Sequence, residues 1–219
     1  MAAWHGRPEI ASVAIQCRGA PSVDAIEALV DQLRAAGYRE IITNALAPGP
    51  SLPLVDCGFE VRSRLHLLSH DFNELPAPPA IASRRTRRAG AADRAAVLAV
   101  DAAAFDDFWQ LDQTGLDEAA RATPRSHLRV TRGDVVAGYG LFGRAERIGY
   151  VQRLAIHPAA QDQGWGGALL VDGLRWLRTR GARSAFVNTQ VDNERALHLY
   201  EDKGFRRLPV GLCVLGRSL

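Results

Sequence analysis

The sequence predicts an α/β chain organised on a mixed sheet, and three stretches predict it. Residues 150–157 read as a strand, 161–167 as a glycine-rich turn, and the stretch beyond the turn as a long amphipathic helix that stops at Gly181. A further helix and a closing Gly204-Phe205 occupy 193–205. Near the N-terminus the same order of strand, helix, glycine stop and strand occurs once more. Strands alternating with helices imply parallel βαβ units, while two strand-like runs around Arg132-Gly133-Asp134 add an antiparallel hairpin.

Taken in order, residues 10–17 alternate loosely as a strand, and Val23, Ile26, Val30 and Leu33 recur at helical spacing up to Gly37. Residues 38–43 form a second strand candidate, 48–53 a turn-rich connection between prolines, and 59–68 a long alternating strand. Pro76, Pro78 and Pro79 mark 75–85 as a linker, because proline stiffens the chain and cannot donate into a sheet. Beyond it come an alanine-rich helix (91–104), an aromatic and acidic turn (105–109), a short helix (116–122) ending before Pro124, and strands at 127–132 and 135–142. Pro158 closes the strand 150–157. In the helix beyond it Leu169, Leu170, Leu174 and Leu177 share one side, with Asp172, Arg175 and Arg178 turned away.

The turn Gln161-Asp162-Gln163-Gly164-Trp165-Gly166-Gly167 carries the chemistry. Glycine has no Cβ, so the backbone can turn sharply and approach a ligand closely. A helix start behind such a turn offers unpaired N–H groups and the positive end of the macrodipole, which suit a phosphate. Alone, these glycines fit an ordinary turn and cap equally well. Their order adds the information: Gln161, Gly164 and Gly166 sit directly after a strand, and Asn193, Ala196, Leu199, Tyr200, Glu201, Gly204 and Phe205 come later in the chain. The two ordered motifs resemble those of the GNAT family of N-acetyltransferases. The resemblance covers roughly residues 84–219, with nearly all its specificity from 148 onward.

The resemblance implies the acyl-CoA N-acyltransferase fold, with acetyl-CoA as cosubstrate and an amine acceptor. Leu154, Ala155 and Ile156 would then pair through their backbone with the pantetheine, and an N–H near Leu154 would polarise the thioester carbonyl. The amides from Gln161 to Gly167 would hold the pyrophosphate, and Asn193 would reach the pantetheine arm. Tyr200 takes the family's general-acid place, about two helical turns after Asn193, where a phenol can protonate the departing thiolate. A core tyrosine is the other reading of the same residue.

The resemblance has one departure. Ribosomal-protein acetyltransferases of the family carry a glutamate base on the strand before the asparagine motif. Asn188 stands at that place and cannot take a proton. Deprotonating a lysine amine of pKa ~10.4 at pH 7 requires roughly 4.6 kcal/mol, and an α-amine of pKa ~8 only about 1.4 kcal/mol. Either the acceptor is a weakly basic amine, or Asp106 or Asp107 acts through water. Phe105, Asp106, Asp107, Phe108 and Trp109 lie where the family places its acceptor, and acidic groups beside aromatic faces suit a cationic amine. They read equally as core aromatics beside a solvated turn.

Composition narrows the classes further. At 219 residues with 47% hydrophobic content, the chain can bury one large core or two small ones. Residues 1–9 show no basic start before an apolar stretch, and no run reaches the ~18 apolar residues of a membrane span, so a soluble cytoplasmic protein without a membrane partner is expected. Cys17, Cys57 and Cys213 are scattered and read as reduced core thiols. The histidines form no close ligand pair, and no metal is implied. The net charge of +3 is mild, and the basic run Arg84-Arg85-Thr86-Arg87-Arg88 reads as a solvated linker and strand edge, so no nucleic-acid partner is expected.

An internal repeat completes the reading. Gly37 and Asn44 stand at the same separation from Gly181 and Asn188 as Ile26, Val30 and Leu33 from Leu170, Leu174 and Leu177, and Gly58-Phe59 matches Gly204-Phe205 after a two-residue gap. The repeat implies two domains: 1–78, a degenerate partial copy forming a β-α-β unit, and 84–219, the catalytic domain. In the first copy Gln16-Cys17-Arg18-Gly19-Ala20-Pro21-Ser22 replaces the glycine loop, and Pro21 removes an amide donor. That copy is expected to bind no cofactor and, being small, to need the second domain for stability. The expected activity is acetyl transfer from acetyl-CoA to a primary amine, of a small molecule or of a protein or peptide α-amine, by direct attack on the thioester. Two alternatives stand beside it. One is a tandem acetyltransferase of the mycothiol-synthase kind, although here the first copy is half-length; the other is a non-catalytic acyl-CoA-binding regulatory protein. Acceptor, acyl length and oligomeric state stay open.

Overall fold

In the computed structural model, which describes residues 2–15, 20–73, 75 and 85–219, the first strands are β1 (Ala2–Trp4) and β2 (Arg7–Val13). They form an antiparallel hairpin that the alternation from residue 10 onward does not announce. His5 and Gly6 turn it with φ of 47° and 77°, the left-handed pair that a tight hairpin turn requires. The turn expected at 16–19, with Cys17, lies outside the described residues, as does the linker from 76 to 84.

The next elements are α1 (Val23–Ala35), β3 (Glu40–Thr43), α2 (Pro48–Asp56) and β4 (Glu60–His70). Helix α2 corrects the expectation of a turn-rich connection at 48–53. Pro48 sits in the first turn, where the missing N–H has no intrahelical partner to lose, so proline starts a helix there rather than breaking it. Leu54 is then buried on its inner side.

Further on come β5 (Thr86–Arg88), a 3-10 turn (Ala91–Asp93), α3 (Arg94–Ala104), α4 (Gln113–Arg121), β6 (Arg125–Thr131), β7 (Gly138–Ala145) and β8 (Ile148–Ile156). The chain closes with α5 (Trp165–Thr179), β9 (Ser184–Gln190), α6 (Glu194–Asp202), β10 (Arg206–Arg207) and β11 (Leu212–Ser218). No helix among the described residues is long and apolar enough to cross a membrane.

The chain divides into two compact units: residues 1–67, 188–193 and 208–219, and residues 68–187 and 194–207. In the first unit β2 pairs parallel with β3, and β11 lies antiparallel to both β3 and β4. Its core gathers Ala11, Ile26, Val30, Leu33, Ile41, Leu54, Phe59 and Leu215. The last strand of the chain clusters with the first elements.

In the second unit β5, β6, β7 and β8 form successive antiparallel pairs, and β9 joins β8 in parallel. One core holds Phe142, Leu170, Leu174, Leu177, Tyr200 and Phe205; another holds Val97, Val100, Leu116, Val130, Tyr139 and Ala155. The apolar side read for the helix after the glycine turn is the buried side of α5.

Candidate functional site

The site begins where a strand pair stops. Strand β8 pairs with β9 only through Ile148, Gly149 and Tyr150, against Ser184, Ala185 and Phe186. Past Tyr150 it continues to Ile156 while still paired with β7, where a register shift between Leu141 and Phe142 leaves Gln152 as an extra residue on β8. Such a bulge bends the strand that carries it. The N–H of His157 donates to Ala137 O at 2.9 Å on the β7 side. Because successive strand N–H groups point in opposite directions, those of Ile156 and Leu154 face away from β7, toward the side that β9 has left.

The glycine turn caps this open edge. The Gln161 side chain donates from Nε2 to the Ile156 carbonyl at 3.4 Å, tying the turn to the end of β8. Asp162 takes a positive φ of 61° and forms an exposed pair with Arg195, Nη1 to Oδ1, at 3.1 Å. Gly164 is the N-cap of α5 in the left-handed conformation, φ 78°, with no side chain to cap the helix. The first amides of α5 therefore have no capping acceptor from the N-cap residue. Gln163 accepts from Trp165 Nε1 through its side chain at 3.3 Å. A Cβ on Gly166 would sit 3.1 Å from Leu199 Cδ2 and 3.7 Å from the Ile156 side chain, so β8, α5 and α6 converge there. Gly167 lies against Lys203 in the same way.

Tyr200 lies on the buried side of α6, 5% exposed, its ring edge-on to Phe205 with centroids 5.6 Å apart. Leu154 packs against the cluster that contains it. Burial raises the phenol pKa, so the hydroxyl stays protonated at neutral pH. No hydrogen bond of that hydroxyl is found among the described residues. Asn188 and Asn193 are exposed and fall in the segment that clusters with the first unit; the Asn193 N–H donates to Gln190 O at 3.1 Å.

A buried network holds the proposed acceptor turn. Asp101 on α3 is fully buried and accepts from Arg153 Nε at 2.9 Å and Nη2 at 3.0 Å, from Leu111 N at 2.6 Å, and from the Tyr139 hydroxyl. Arg153 also donates to Trp109 O at 2.6 Å and covers the Phe105 ring at 3.6 Å from its centroid. Phe105 and Trp109 are thereby fixed to the residue that precedes Leu154. Asp106 accepts from the N–H groups of Phe108 and Trp109, and so caps its own turn. Asp107 is exposed and accepts from Gln110 Nε2 at 3.1 Å. Sequence reasoning missed Asp101 and Arg153, although a visible signal existed. Asp101 falls one helical turn after Val97, on the apolar side of its helix, where a charge persists only with a partner.

Arg85 was also missed, read as part of a solvated basic run. Its Nη2 donates to Gln163 O at 2.7 Å, and its guanidinium carbon lies 4.1 Å from the centroid of the Trp165 ring.

The comparisons agree with this geometry. Residues 95–205, half of the chain, match the acetyltransferase (GNAT) family. The chain is 32% identical over 200 residues to a mycothiol acetyltransferase of Amycolatopsis mediterranei and 30% identical over 180 residues to one of Rhodococcus jostii. The matches cover 81% and 74% of this chain but 65% and 58% of those proteins, so the chain spans less than two-thirds of the length of these curated relatives. A tandem GNAT protein from the clavulanic acid biosynthesis pathway superposes with a TM-score of 0.62 at 13% identity, over 90% of this chain and 68% of its own. That likeness is one of fold. With its strand split, glycine-capped helix and matching family region, the chain belongs to the acetyltransferase (GNAT) family.

Proposed function

We propose that this chain is an N-acetyltransferase that moves the acetyl group of acetyl-CoA to a primary amine by direct attack on the thioester. The observation that carries the proposal is the split between β8 and β9, which leaves the N–H groups of Leu154 and Ile156 open beside the start of α5. A pantetheine arm can pair with that edge as a further strand does. The amides of Gly164 to Gly167 receive the pyrophosphate. Leu154 N–H is aimed at the thioester oxygen, where negative charge develops as the C–N bond forms. Tyr200, kept protonated by burial, gives its proton to the sulfur as the C–S bond breaks and regains one from solvent.

The attacking amine must lose a proton, and Asn188 cannot take it. Both Asp106 and Asp107 hold hydrogen bonds of their own turn, so either one takes the proton through water or the acceptor is a weakly basic amine. The relatives named as mycothiol acetyltransferases support a small acceptor related to mycothiol in preference to a protein. No nucleic acid or membrane enters the proposal. The test is thiol release from acetyl-CoA in the presence of small amines related to mycothiol and of peptides with free α-amines. Release that depends on an amine is expected. Binding of acetyl-CoA with no release for any amine would leave an acyl-CoA-binding protein without turnover.

A further inference from the structure

We infer that Arg85 binds the pyrophosphate, forming a cationic wall of the glycine turn supplied from a different element. This rests on the acetyl-CoA reading above and adds a residue to it. The basic run separates in the structure. Arg87 is held by Asp93 through two bonds of 2.7 Å, and the Thr86 hydroxyl donates to Asp172 at 2.6 Å. Arg85 forms no ion pair among the described residues. One nitrogen is fixed on Gln163 O, and the other lies 3.3 Å from where a Cβ on Gly164 would stand. The guanidinium thus lies against the N-cap of α5, beside the amides that the missing Cβ leaves accessible.

The chemistry of that arrangement suits an anion with several oxygens. A guanidinium carries five donors in a rigid plane, and the bond to Gln163 uses one of them. Stacking on Trp165 fixes the plane without consuming donors. A planar fork beside a helix start can meet two oxygens of a diphosphate ester at once, which a lysine cannot do. The same contact gives Trp165, an unconstrained position in the glycine motif, a role as the platform for Arg85.

Calorimetry with CoA and with dephospho-CoA, which lacks the 3′-phosphate, and ligand NMR with pantetheine, which lacks every phosphate, test the inference on four proteins: wild type, Arg85→Ala, Arg85→Lys and Arg87→Ala. Arg85→Ala is expected to lose roughly tenfold to a hundredfold in affinity for CoA and dephospho-CoA alike, the range for a hydrogen bond to a charged group, and nothing for pantetheine. Arg85→Lys should fall between, and Arg87→Ala should match wild type. A loss confined to CoA would assign Arg85 to the 3′-phosphate and overturn the inference. So would an equal loss for pantetheine, an equal loss in Arg87→Ala, or unchanged affinity in Arg85→Ala. Failure of the wild type to bind CoA at all would instead remove the acetyl-CoA reading.

Discussion

The two βαβ segments, β2-α1-β3 and β8-α5-β9, share a frame and differ where a ligand would enter. Both helices end on a left-handed glycine, Gly37 with φ 88° and Gly181 with φ 86°, each with the same return bond just beyond it: Tyr38 N to Leu33 O at 3.2 Å, and Ala182 N to Leu177 O at 3.0 Å. The next helices, α2 and α6, close alike on Gly58 and Gly204, with Phe59 N to Leu54 O and Phe205 N to Tyr200 O both at 3.0 Å. The helix starts differ. Ser22 caps α1 with its own side chain, accepting from Ala25 N, whereas Gly164 leaves the start of α5 uncapped. The strand pairs differ as well. β2 stays paired with β3 up to Val13, and Asn44 then seals the end, donating to Val13 O at 3.1 Å and accepting Ile15 N at 2.8 Å. All of β3 is paired with β2, from Ile10 against Glu40 to Val13 against Thr43. What distinguishes the second segment is that a cap and a run of strand pairing are withheld, which leaves donors for a ligand.

The largest expected effect concerns the frame itself. A fragment of residues 1–78 lacks β11, the strand that pairs with both β3 and β4. Its sheet is left with unpaired edges and a core without Leu215, so it should be unfolded or aggregated by circular dichroism and size exclusion. A cooperatively melting fragment would show that the first segment is a complete domain. Next in size, Gly164→Val should sharply weaken acetyl-CoA binding, because a branched side chain resists φ 78° and fills the space before the helix. Ala20→Val, 144 residues earlier in the sequence, should leave binding unchanged in the same titration.

Tyr200 and Leu54 occupy the same place in their helices and should separate cleanly. Tyr200→Phe is expected to lower turnover by ~10²-fold or more while acetyl-CoA affinity stays within a few-fold. Leu54→Ala should instead cost about 2–5 kcal/mol of stability, measured by denaturant, with turnover of the folded fraction intact. The smallest effect is a pH dependence set where β6 meets α5. His127 stacks flat on Trp176 of α5, and burial, helped by Arg129, lowers its pKa from 6.5 to about 4. Between those values the unfolded chain takes up a proton that the folded chain refuses, so stability falls as the pH drops through that window and is steady above it. His127→Phe should flatten the stability profile from pH 6.5 to 4; the counterpart of Trp176 is exposed Gln32, and its substitution should not.

Much of this was legible from residue pattern. Gln161, Gly164 and Gly166 stood out because they follow a strand directly and precede the second motif from Asn193 to Phe205, and the spacing of Leu170, Leu174 and Leu177 gave the buried side of α5 directly. Three features were not legible. Helix α2 hid behind Pro48 and Pro53, since proline reads as a breaker unless the helix start is already known. The pairing of β11 with β3 and β4 is set by distant contacts that no local window holds. Arg85 looked like one of several equivalent arginines, and only its bond to Gln163 and its stacking on Trp165 set it apart from Arg87.

The central claim is that the second segment alone is built to hold acetyl-CoA. Calorimetric titration of the full chain tests it most directly. The account predicts one acetyl-CoA per chain, with Gly164→Val abolishing most of the heat and Ala20→Val none. Two equivalent sites per chain, or a single site that survives Gly164→Val, would contradict it.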